Sequence, residues 1–278
     1  MGRGWDQSLW GTTEFPTNEQ LNELFPTIPV CLIRIDGHAL LANDACLKLA
    51  KITSETKIEG GIIHLKDGKC SGLLVDNAMN PVYALIPEFP KNEIINAISD
   101  IQDELFQYGI TGVHEAGIEN KDIALFKEMI DKHDFDLNLY AMLMPSKENI
   151  AFARKNGIYT YKNMLIRSFK VMGDGALGSR GALLKQPYSD QHDHHGVLTT
   201  SIEDMKRIAA ICEETGYQMN THAIGDSTNK ILLDLYERIF EVIKIIVGEL
   251  NMLRSLTQKI LNYSVNMLFS HLSNQHML

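Results

Sequence analysis

Ser168-Phe169-Lys170-Val171-Met172, followed at once by Gly173-Asp174-Gly175-Ala176-Leu177-Gly178-Ser179-Arg180, is a strand pattern that ends in charge. A lysine inside an otherwise apolar strand is costly to bury unless it is paired or chemically altered. Two readings stand for Lys170. It can snorkel at a strand end, or, because burial favours the neutral amine, it can add carbon dioxide and become a carbamate that bridges two divalent metals.

Working outward, the same texture repeats. Asn92 to Tyr108 has helical spacing, Gly109 stops it, and Ile110 to Val113 reads as a strand. A helix over 121–132, a strand over 137–143, a helix over 147–156 closed by Gly157 and a strand over 166–172 follow. After the loop 173–200, residues 202–215 are helical, Gly216 caps them, and Gln218 to His222 is a strand. Strands separated by single helices imply parallel pairing with right-handed crossovers. The choice lies between an open doubly wound sheet and a (β/α)8 barrel. Polar residues gather near the expected strand ends: His114-Glu115, then Lys170 and Asp174, then His222 and Asp226. Barrel enzymes place their chemistry there, and no GxxxxGK[ST] phosphate loop exists. The expected fold is α/β, a partial (β/α)8 TIM barrel preceded by a loop-rich α/β region over 1–90.

Composition bounds the function. At 278 residues, 45% hydrophobic and 22% charged, the chain can bury a sizeable core. A net charge of −9 with dispersed acidic residues argues against nucleic acid or an anionic membrane surface as partner. Cys31, Cys46, Cys70 and Cys212 lack CxxC spacing and read as ordinary reduced thiols. No membrane segment or signal peptide is expected; the compartment is open, and cytoplasmic if Met1 is the true start.

His222, in Asn220-Thr221-His222-Ala223-Ile224-Gly225-Asp226, ends a strand. It reads as a satisfied polar residue or, neutral imidazole being the commonest zinc ligand, as a metal ligand. The run His192-Asp193-His194-His195 sits in a hydrophilic loop whose spacing suits no rigid metal site.

Five ordered segments carry a resemblance: Gly2-Arg-Gly-Trp-Asp-Gln7, Arg34-Ile-Asp-Gly-His38 with Asn43, Gly109-Ile-Thr-Gly-Val-His114-Glu-Ala-Gly117, Lys170 to Arg180, and Thr221 to Asp226. Over about residues 2 to 236 the chain resembles amidohydrolase family 3, barrel hydrolases of the metal-dependent amidohydrolase superfamily. The resemblance implies one or two divalent ions, usually zinc, that activate water for attack on an amide or similar C–N bond of a small molecule. By position it implies Lys170 as the bridging carbamate and His222 as a histidine ligand. It assigns Asp36 and His38 to substrate positioning, although Asp36-Gly37 also reads as a plain turn. His114 and Asp174 are further substrate-side candidates, with a structural hydrogen bond the competing role for His114.

Parts of the family pattern are missing. The superfamily's HxH pair does not occur before residue 109, which makes Met1 an expected internal position of a longer parent. Beyond Tyr236 the expected Glu-His-Ala-Gln, Gln-Pro-Thr-His and Gly-Ser-Asp strands do not appear. Reading the degenerate codons one base earlier permits Trp-Arg-Ile-Glu-His-Ala-Gln across 247–254 and Pro-Ser-Val-Gln-Pro-Thr-His-Ala across 270–278. The expected organisation is therefore an insertion region over 1–90, barrel elements over 91–236 and an out-of-frame tail over 237–278. The alternative for the tail is a real helix, since Ile239, Val242, Ile243 and Ile246 have helical spacing. The expected function is metal-dependent hydrolysis of non-peptide C–N bonds, with this polypeptide itself inactive. The alternative is a non-catalytic barrel remnant that binds a small ligand or partner.

Overall fold

The structure, a computed structural model, describes residues 1–239. The expectation of an out-of-frame tail therefore falls, but for its first residues, outside the described part.

The first 90 residues are more ordered than their short apolar runs predict. Strands β1 (Gly2–Trp5), β2 (Cys31–Arg34), β3 (Ala39–Ala42), β4 (Gly61–Lys66) and β5 (Lys69–Asp76) form a sheet in the order β1-β2-β3-β5-β4. All its pairings are antiparallel except β1 with β2. The turn Asp67-Gly68 closes the β4–β5 hairpin with φ of 52° and 75°; positive φ at both central residues is what a type I′ turn demands. Short helices α1 (Glu19–Leu24), α2 (Asp44–Leu49) and α3 (Asn80–Tyr83) flank this sheet. Asn43 caps α2 through a hydrogen bond from the Cys46 N–H.

His64 on β4 is mostly buried. Burial first, then the charges of His194 and Arg180, hold its pKa down to about 4 against an ordinary 6.5. Above pH 6.5 it is neutral both folded and unfolded and costs nothing. As pH falls from 6.5 to 4 the unfolded chain takes up a proton that the folded one refuses, so stability is lost, by at most about 3 kcal/mol. Denaturant titrations at pH 7 and pH 4 should show this loss, and His64→Gln should remove its share; an unchanged difference in the variant would rule His64 out as a source.

From residue 91 the alternation predicted from the sequence is present. Helix α4 (Lys91–Gln107) precedes β6 (Gly112–Ile118), α5 (Asn120–Lys132), β7 (Asn138–Leu143), α6 (Lys147–Asn156), β8 (Tyr159–Tyr161), β9 (Met164–Met172), α7 (Ile202–Thr215), β10 (Gln218–His222) and α8 (Asp226–Ile239). Side chains fix the helix ends. Ser146 and Ser201 accept backbone hydrogen bonds at the starts of α6 and α7, and Glu119 with Asp122 makes a capping box on α5. No helix among the described residues is long and apolar enough to cross a membrane.

Strands β6, β7, β9 and β10 pair in parallel, in the order β10-β9-β7-β6, and β8 adds an antiparallel hairpin to the start of β9. Each new parallel strand is laid beside the previous one without reversal. Helices α5 to α8 pack in sequence, each on the next, in one layer. A doubly wound sheet would reverse its strand order and split its helices between two faces; neither occurs among the described elements.

The main core lies between this sheet and its helices. Leu139, Ala141, Leu143, Phe169, Val171 and Met219 from the strands meet Met129, Ile150, Ile208, Cys212 and Leu232 from the helices. Because strand residues alternate between faces, the intervening residues Tyr140, Met142, Ser168, Lys170, Asn220 and His222 point away from the helices.

One detail departs from the sequence expectation. Strand β6 runs from Gly112 to Ile118, so His114 sits early in it rather than just past its end. Gly173-Asp174-Gly175-Ala176-Leu177-Gly178 carries GxGxxG spacing after a parallel strand, but no helix opens there and the chain loops on to Ile202. The helix N-terminus that a dinucleotide turn needs is absent from this position.

Candidate functional site

The register of β9 and β10 sets Asn220 opposite Lys170 and His222 opposite Met172. Lys170 and His222 therefore leave the sheet on one face, at its C-terminal end. Lys170 is 7% exposed, and its Cγ lies 3.9 Å from where a Cβ on Gly117 of β6 would stand. Burial, then the charges of His38 and Lys170, push the His222 pKa down to about 4, opposed only by a backbone hydrogen bond at Gly175. His222 is thus a neutral imidazole near pH 7, and its Nε2 is buried without a hydrogen-bond partner. An orphaned buried acceptor of this kind needs a cause.

The first sheet supplies the opposite wall. His38 stacks on His222 with ring centroids 5.0 Å apart, and its Nδ1 lies 2.7 Å from Asp76 Oδ1. Burial works against the His38 cation, but the hydrogen bond and charge of Asp76, with Asp36 and Asp174 beyond, outweigh it and raise the pKa. Asp76 is itself pushed up by burial, against the pull of His38. It sits at φ 51°, ψ −125°, a conformation an L-residue holds only when its surroundings enforce it. Its carboxylate lies close against Gly175 and Gly181: a Cβ on either would stand 2.1 Å from Asp76 Oδ2.

Arg34, at the end of β2, is buried and fully engaged. It donates to Gln7 Oε1 at 2.9 Å, Asp6 Oδ1 at 2.8 Å and Asp36 Oδ2 at 2.6 Å. Asp36 also accepts the His38 N–H at 3.0 Å, closing the Asp-Gly-His turn. A cavity of about 540 Å3 opens between the sheets, lined by Asp6, Arg34, Asp36, His38 and His222 with Ile35, Leu177, Gly178 and Ile224 among the rest. Of the residues singled out in the sequence, Asp36, His38 and His222 line this cavity, and Lys170 lies behind His222 on the same sheet face.

Two others do not join them. His114 packs at a tilt against Tyr140 with centroids 4.8 Å apart and lines a separate depression at the starts of the parallel strands, with Asn138, Lys162 and Leu165. Asp174 is fully buried and does not line the cavity. Its two oxygens accept the Leu183, Ile224 and Gly225 N–H groups and the Thr228 hydroxyl, all at 2.8 to 2.9 Å. It clasps the 173–200 loop to the β10–α8 turn. In the histidine-rich loop, His194 Nε2 bonds the Arg180 carbonyl and His195 Nδ1 the Leu184 carbonyl. The sequence reading missed Asp76, although a carboxylate at the end of the apolar run Gly72 to Val75 obeys the strand-end rule that exposed Lys170.

Among the described residues no three His, Cys, Asp or Glu side chains converge on a position that could hold a metal. One orphaned imidazole nitrogen and one buried lysine fall short of a tetrahedral zinc shell.

A parallel sheet with ionisable groups at its strand ends, facing a cavity shared with a second sheet, defines an α/β protein with a polar cleft between its layers. The sequence profile of the Amidohydrolase family matches residues 1–245, and the chain belongs to that family. It is 28% identical over 253 residues to Protein LONG AFTER FAR-RED 3 of Arabidopsis thaliana, covering 86% of this chain and 43% of that protein. It is 28% identical over 247 residues to the putative amidohydrolase YtcJ of Bacillus subtilis strain 168, covering 86% and 46%. The chain thus spans a little under half the length of the curated relatives it matches. A solved structure of an uncharacterized metal-dependent hydrolase from Pyrococcus horikoshii OT3 superposes with a TM-score of 0.59 at 26% identity, over 85% of this chain and 47% of that one.

Proposed function

We propose that the whole protein hydrolyses C–N bonds other than peptide bonds on small amide-like substrates, and that the described residues form one side of its active site within part of a (β/α)8 barrel. Zinc, one ion or two, is the metal we assign. The observation that carries this reading is the His222 Nε2, buried, neutral and unpartnered at a parallel strand end beside the cavity.

Lys170 and His222 are the residues we assign to the metal, Lys170 as a carbamate. When bound, the ion would polarise the substrate carbonyl and activate water. The chain's own residues do the rest. Asp76 holds the His38 ring in place against His222 and shifts its pKa upward, and a protonated ring would present an N–H to a carbonyl or leaving group in the cavity. Asp36, pinned by Arg34, fixes the turn that carries His38. Gly178 lies against the Arg34 guanidinium, where a Cβ would stand 2.7 Å from its Nη1. Unreversed strand order and a single helix layer support the barrel.

The tail from residue 237 is, in this proposal, read out of frame, on the strength of two family motifs that fit a single shift in the right order. Gene sequencing around codons 236 to 240 tests this; a run with no base gained or lost against relatives would remove the idea.

The 278-residue polypeptide is expected to hold zinc well below one equivalent after purification and to leave simple N-acyl substrates unhydrolysed. Elemental analysis and hydrolysis assays check this. What zinc it does hold should drop at least tenfold in affinity in His222→Ala. Stoichiometric, tightly held metal would overturn the incomplete-shell part, and binding indifferent to His222→Ala would overturn the ligand assignment.

A further inference from the structure

A run of contacts leads along the cavity wall from His222 to His38, from the His38 N–H to Asp36, and from Asp36 through Arg34 to Asp6. Among the described residues that line the cavity, Arg34 is the one guanidinium, and no lysine joins it. Each of its nitrogens donates inside the protein: Nε to Gln7, Nη1 to Asp36 and Nη2 to Asp6. The Trp5 ring centroid lies 5.8 Å from its Cζ, Gly178 bears on Nη1, and the side chain is 6% exposed. No pair of nitrogens stands open for the two-pronged grip that arginine gives a carboxylate.

The charges along the wall add to this. Asp6 and Asp36 carry two negative charges against one positive charge on Arg34. His222 is neutral near pH 7, and His38 with Asp76 behind it brings no net positive charge. Lys170 does not line the cavity, and the carbamate assigned to it above would be an anion. The rest of the wall is largely apolar. Leu177 and Ile224 face the space together with Ile35, and Ile35 is 56% exposed, so an apolar group lying on it would gain cover from water for both surfaces.

We propose that this cavity selects uncharged amides that carry an apolar group and rejects their carboxylate-bearing counterparts, the N-acyl amino acids. The inference rests on the C–N hydrolase reading above and names a substrate class for it. The amide carbonyl meets the imidazoles of His38 and His222, and the apolar group lies on Ile35, Leu177 and Ile224. A carboxylate on the same skeleton would face Asp6 and Asp36 with no open cation to balance it, and like charges brought together at a binding surface are costly.

The test titrates the purified 278-residue chain with three probes and reads binding by saturation-transfer NMR and by the ring signals of His38 and His222. N-phenethylacetamide and N-acetylphenylalanine share one skeleton and differ by a carboxylate; acetamide lacks the apolar group. The expected result is binding of N-phenethylacetamide that shifts both rings, with the other two probes weaker by roughly tenfold or more. In Asp6→Asn, which removes a charge but keeps an acceptor for Arg34, N-acetylphenylalanine should bind several-fold more tightly while N-phenethylacetamide is unchanged. The inference fails if N-acetylphenylalanine binds as well as its neutral twin, if acetamide matches both, if no probe binds, or if a folded Asp6→Asn changes nothing. The wild-type comparison decides the matter where Asp6→Asn does not fold. Neither metal nor turnover enters the measurement. A whole enzyme that left C–N bonds intact would sink the hydrolase reading but not this preference, and a preference for the acid would sink this inference but not the reaction class.

Discussion

Replacing Asp174 with alanine is expected to remove roughly 5 kcal/mol of folding stability, enough to leave a marginal domain largely unfolded. Three backbone N–H groups and one hydroxyl converge on this carboxylate. Alanine would strand all of them in an interior where Asp174 itself has no solvent exposure. Each buried donor left without a partner costs about 1–3 kcal/mol. Asp174→Asn keeps an acceptor oxygen and should lose about half as much. Urea or guanidinium unfolding reports both, and a loss below about 1 kcal/mol for the alanine variant would mean that the clasp carries no weight.

Gly175→Ala is the second large effect, and it acts on the cavity as well as on stability. The added methyl would stand 2.1 Å from Asp76 Oδ2, 2.6 Å from Oδ1 and 2.7 Å from Cγ, a collision no rotamer of alanine avoids. Gly181 bears on the same oxygen and narrows the room Asp76 has to retreat. The expected cost is roughly 3 kcal/mol, at the upper end for overpacking. If the loop yields by expelling the carboxylate, His38 loses its 2.7 Å partner, burial then dominates, and its pKa falls. A histidine-resolved NMR titration should show that drop. An unchanged His38 titration in a stably folded variant would show that the pair does not depend on this packing.

How much of this was legible in the sequence follows from how local each signal is. The helices between residues 91 and 215 could be placed because their apolar spacing and glycine stops lie within one window, whereas α8 was not foreseen. The strand ends at Lys170 and His222 were legible because a charged residue in an apolar run is conspicuous. Strand β6 was cut short because Glu115 and Gly117 look like a terminus; pairing with β7 carries the strand past them. The first sheet was hidden because four-residue strands such as Cys31–Arg34 and Ala39–Ala42 are too short to show a period.

The candidate site divided in the same way. Asp36 and His38 could be assigned because they form one local turn, whereas Asp76 is 38 residues from the histidine it supports. Asp174 attracted attention as a strand-end carboxylate; its four donors come from Leu183 and from the segment 224–228, which no window around it contains. His114 was drawn toward the cavity by the mistaken strand end and belongs to the opposite end of the sheet.

The stacked imidazoles arise from different sheets, one at the close of an antiparallel hairpin and the other at the tip of a parallel strand. Neither ring can be brought to its partner by the folding of its own layer. Drift in how the two layers seat against each other therefore retunes the spacing of the rings without altering either residue. Substitutions in the segment that joins the two layers, far along the chain from either ring, can therefore change how the rings meet.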